Sequence, residues 1–89
     1  MADSGDEEIL REFDEELRKL KVGDLLVQTL YTVSSLGYRR LGDSDRDLEQ
    51  ARLAIDALKA LQPLVPEAAG RELQGVVASL QLAFADAAK

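Results

Sequence analysis

The chain has 89 residues, 46% hydrophobic and 31% charged, a balance that fits one small globular domain rather than a disordered or low-complexity segment. It contains no cysteine and no histidine, which removes disulfides, thiol nucleophiles and the commonest metal ligands and general bases. Its net charge of −6 disfavours direct binding to nucleic acid or to anionic membrane surfaces.

The acidity belongs to one end. Residues 1–19 hold eight acids against three bases, whereas residues 20–89 hold nine against eight. The start of the chain is acidic, without the basic residues and apolar run of a secretory leader. Ser4 and Glu7 have the spacing of a capping box, and acids in a first helical turn suit the helix dipole. Ile9, Leu10, Phe13, Leu17 and Leu20 then recur as a helical stripe, which predicts a first helix over about residues 5–20. Its apolar face is narrow, as in a helix that docks, frays or serves as an arm.

Gly23 breaks the pattern and Asp24 is a suitable N-cap for a second helix. From Leu25 to Leu41 apolar residues fall on more than one side, the mark of a central helix covered by several neighbours. Ser34, Ser35 and Gly37 are small enough to allow close helix approach, and Gly42 marks the C-terminal stop. The uncharged stretch Leu25–Tyr38 spans 14 residues and includes Gln28, Thr29, Thr32 and two serines, too short and polar to cross a bilayer.

Asp43 or Ser44 is placed to cap a third helix, in which Leu48, Ala51, Ala54, Ile55, Leu58 and Leu61 form an amphipathic ladder. Pro63 ends it, and Pro66 suits the first turn of a fourth. There Leu73, Val76, Val77, Leu80, Ala83, Phe84 and Ala87 form a heptad-like seam. The expected fold is all-α: an antiparallel bundle of three principal helices at about 24–41, 45–62 and 66–87, with short connections, plus an acidic N-terminal helix. The arm takes residues 1–22 and the bundle core 23–89.

Candidate chemistry is sparse. Asp43, Asp45 and Asp47 resemble the opening of a calcium loop, but its glycine and glutamate positions are Leu48 and Ala54. No nucleophile motif surrounds Ser34 or Ser35, and Gly70 and Gly75 are isolated rather than part of a phosphate loop. Arg39 and Arg40 suit the negative end of the second helix, and with Arg46 and Arg52 they offer a possible basic patch. Asp56 is read as solvent-facing or ion-paired with an arginine.

Three segments taken together resemble a known family: Gly23–Leu26 running into Ser34–Leu36 and closing at Arg40–Gly42, then Ala51–Leu58, then Ser79–Phe84. They are similar to a small bacterial family, the domain of unknown function 1844, over about residues 23–88. The resemblance implies a compact helical protein of a bacterial cytoplasm with no assigned activity or cofactor, so it transfers no functional residue. Members often carry a histidine or other polar residue where this chain has Arg40, and any role of that histidine would not carry over.

The functional expectation is a non-enzymatic protein–protein interaction module without cofactor or metal, working in the cytoplasm and partnered by itself or by another protein. Leu26, Leu30, Val33, Leu73, Val77, Leu80 and Phe84 are the expected interaction residues. Two alternatives stay open. One is an accessory factor that binds a basic ribosomal or nucleoprotein partner through the acidic arm, and the other is a small carrier of apolar ligands.

Overall fold

The computed structural model describes residues 4–89, and every element in them is helical. The chain forms α1 (Ser4–Lys19), α2 (Val22–Arg39), α3 (Leu48–Leu61), a 3₁₀ turn at Gln62–Leu64, and α4 (Glu67–Ala87). The side chain of Ser4, and with it the expected capping pair with Glu7, lies outside what is described.

Helices α2, α3 and α4 pack on one another. Contacts along their lengths give the directions. A Cβ on Gly37 would meet Ala54, while Arg40 accepts a backbone bond from Asp47, so α2 and α3 run antiparallel. Arg52 lies over the Phe84 ring and Gln62 reaches Gly70, so α3 and α4 also run antiparallel. Tyr31 meets Glu72 and Gly37 meets Leu80, which leaves α2 and α4 parallel.

The core is built from Leu30 of α2, the α3 ladder Ala51, Ile55 and Leu58, and Leu73, Val77 and Leu80 of α4, with Leu41 and Val65 from the connections. Leu30, Leu58, Leu73 and Leu80 are fully buried, each worth about 1.5–3 kcal/mol by area. Ser34 is buried among them, and its hydroxyl is satisfied by donating to the Tyr31 carbonyl at 2.7 Å. Gly37 brings α2 against α3, since an added Cβ would lie only 2.9 Å from the Ala54 methyl.

Four sequence expectations need correction. Gly23 does not break a helix: α2 starts at Val22 after an extended Lys21, and Asp24 sits in its first turn instead of capping it. Gly42 is no left-handed stop, because no described residue has a positive φ and α2 has already ended at Arg39. Helix α2 is not enclosed either. Leu25, Leu36 and Tyr38 are 42–50% exposed, since α3 and α4 cover only one of its faces.

The last correction concerns α3, which begins at Leu48, with Asp47 as its cap. Its carboxylate accepts from the Gln50 amide at 3.2 Å. Asp43 and Asp45 are taken by Arg46 and Arg39, and Arg46 also donates to the Leu41 carbonyl, so this segment is held as a loop. Asp47→Ala is expected to cost about 1 kcal/mol and to lower the melting midpoint by about 4–8 °C in calorimetry. An unchanged midpoint would mean that the cap contributes nothing.

Helix α1 is set apart. All its residues from Gly5 onward are exposed, and the radius of gyration is 17.1 Å, against about 12 Å for a compact chain of this length.

Candidate interaction surface

The expected interaction residues do come together, but inside the chain. Leu30, Leu73, Val77 and Leu80 are buried in the core, and Leu26, Val33 and Phe84 are half-buried against it. These side chains are already covered by the protein's own helices. Val33 also lines an exposed groove, and most of the exposed apolar surface is formed by other residues.

The larger part of it is on α1 and on Leu20, the residue that follows it. Ile9, Leu10 and Phe13 are 62–64% exposed and Leu17 and Leu20 45–47%, so a stripe of five large apolar side chains faces water. Acids flank it; residues 4–19 contain seven against three bases. An Arg18–Asp14 pair at 2.7 Å spans one turn of the polar side and, being exposed, adds little stability.

The second part is a groove of about 200 Å³ between α2 and α3. Gly37 and Ala54 meet there, Val33, Leu36, Leu53 and Ala57 line it, and Arg40 and Gln50 are its polar residues. Leu36 and Leu53 are 50% and 60% exposed. Leu53 lies off the α3 ladder that builds the core, and that departure was the signal in the sequence that could have marked it as a surface apolar residue. Ladder positions are consumed by folding, while off-ladder ones are left facing out.

The remaining candidates are structurally engaged. Asp43 and Asp45 pair with arginines and Asp47 caps α3, and among the described residues no cluster of carboxylates is arranged to hold a metal. The possible basic patch is dispersed. Arg39 and Arg46 are paired, and Arg52 stacks 5.7 Å from the Phe84 centroid instead of joining Asp56 one turn away. Asp56 lines a shallow polar recess with Lys59 and Gln81. Arg40 forms no ion pair among the described residues and borders the apolar groove. Tyr31 donates to Glu72, linking α2 to α4, and the carboxylate beside it raises the phenol's pKa above its usual 10.0, chiefly through this hydrogen bond.

No helix among the described residues is long and apolar enough to cross a membrane. No family model, curated protein or solved structure matches the chain.

Proposed function

We propose that this chain is a non-enzymatic protein–protein interaction module of the cytoplasm, a bundle of three principal helices carrying the acidic helix α1 as an arm. It associates with itself through exposed apolar helix faces, most simply as a homodimer. The observation that carries this reading is the stripe of Ile9, Leu10, Phe13 and Leu17 on α1, continued by Leu20 just after it, five large apolar side chains 45–64% exposed on an arm that its own bundle leaves uncovered. Contiguous exposed apolar surface of this kind marks protein contact sites. Kinship with the bacterial domain of unknown function 1844 is part of the proposal, supported by the order and spacing of the Ala51–Leu58 and Ser79–Phe84 segments.

A second reading, capture of a basic ribosomal or nucleoprotein partner, draws support from the exposed acids of α1. It requires binding that weakens steeply with salt and is lost on removing residues 1–19. Carriage of an apolar ligand has less support, because the apolar groove of about 200 Å³ is smaller than the roughly 300–1,000 Å³ of most ligand pockets.

Size-exclusion chromatography with light scattering, over a series of protein and salt concentrations, tests the leading reading. The expected result is a dimer mass that persists or strengthens at high salt, as apolar burial does. A monomer under all conditions would count decisively against self-association.

A further inference from the structure

Building on that self-association, we infer that α1 of one copy lies in the α2–α3 groove of a second copy, and the second copy's α1 in the groove of the first. This is helix-in-groove recognition used reciprocally, with a narrow apolar stripe set into an apolar groove.

The lengths agree. Laid antiparallel to the partner's α2, α1 sets Phe13 beside Val33, its Ile9–Leu10 step beside Leu36 and Leu53, and its acidic first turn beside Arg40. Glu7 to Phe13 is six residues, or about 9 Å of helix, and Val33 to Arg40 is seven, or about 10 Å. Arg40 is the charged residue of the groove lining and has no ion pair among the described residues, so an acidic helix end complements it.

Charge also decides against the simplest rival, two α1 helices pairing with each other. Leu10, Phe13, Leu17 and Leu20 have the 3-4-3 spacing of a coiled-coil seam. The positions flanking that seam are Ile9, Asp14, Glu16 and Lys21, but each α1 as a whole carries seven acids against three bases, so a pair of them repels through net charge where the groove attracts.

The arm docks on another copy rather than folding back because of its hinge. Only Leu20 and Lys21 separate α1 from α2, and Lys21 is extended at φ −95°, ψ 141°. Docking in trans uses this hinge as it stands, whereas closure onto the same chain requires it to refold into a reversal. The radius of gyration of 17.1 Å is that of an arm held out from its own bundle.

The test uses the full chain with Phe13→Glu or Leu53→Glu, which are 62% and 60% exposed and so leave the bundle folded, as circular dichroism checks. Each variant alone is expected to raise the dimer dissociation constant at least about 30-fold. Mixing the two is expected to restore association, since a mixed dimer keeps one intact arm in one intact groove. Wild-type association retained by either variant, or a mixture that stays monomeric, overturns the arm-in-groove arrangement while leaving self-association standing. A monomeric wild type whose solution radius of gyration falls near about 12 Å overturns both, with the arm closed on its own chain.

Discussion

Leu30→Asp is expected to leave a chain without a cooperative unfolding transition at neutral pH. Leu30 is fully buried where α2 meets the other two helices of the bundle, beside Leu58, Leu73 and Leu80. Removing its side chain alone costs about 2–5 kcal/mol, and an unpaired carboxylate in its place adds several more. A chain of 89 residues has only about 4–13 kcal/mol of stability in all, at the usual 0.05–0.15 kcal/mol per residue. The two losses together consume it. Leu30→Ala, which carries only the first, is expected to melt cooperatively at a lower midpoint. Thermal melts followed by circular dichroism separate the two. A cooperative Leu30→Asp melt near the wild-type midpoint would show that Leu30 is not a core residue. Any self-association is expected to be lost in Leu30→Asp as well, but because the bundle is gone, so this variant does not locate an interface.

That distinction bears on what the sequence could reveal. The helices were legible because apolar spacing and chain breakers agree. The Leu48–Leu61 ladder carries a period that only a helix satisfies, and Pro63 and Pro66 stand where α3 ends and α4 starts. The α3 cap was not legible. Asp43, Ser44 and Asp47 are all good caps, and the choice among them was made by Arg39 and Arg46, which bind Asp45 and Asp43 and hold the loop away from helix. Gly23 misled for a related reason, since a glycine in a first helical turn costs too little to stop a helix.

The exposed apolar surface was the least legible part. Periodicity identifies apolar side chains without saying which helix will cover them. Leu30, Leu73, Val77 and Leu80 are the strongest periodic positions, and folding takes them first. What folding leaves exposed includes residues that the ladders skip, such as Leu53 and Leu82, and the stripe on the helix that the bundle never reaches. The narrowness and acidity of that first stripe were visible from the start. Its exposure along its whole length depends on how α1 is set against α2 at Lys21, which is a property of the backbone there and not of apolar pattern.

Gly37→Ala is expected to destabilise the protein by about 1–3 kcal/mol, although alanine is the better helix former by about 1 kcal/mol. The added methyl would stand 2.9 Å from the Ala54 Cβ and 3.6 Å from Leu80 Cδ2. Carbon atoms pack at about 3.5–4.0 Å, and the Ala54 methyl is fixed to a backbone with no rotamer to move away. The crossing of α2 and α3 must therefore open. Ala54→Gly removes the opposing methyl, so on its own it should destabilise, by about 1 kcal/mol of lost helix propensity, yet in the Gly37→Ala background it should restore stability. A coupling of that sign in chemical denaturation places the two Cβ positions in direct competition, and additive losses would mean that the helices are not in contact there. The same pair lies along the α2–α3 groove. If the partner's α1 fills that groove, Gly37→Ala also weakens the dimer by deforming the channel, and the double variant recovers both stability and mass. Stability that recovers while association does not would separate the crossing, which the fold needs, from the channel, which the partner needs.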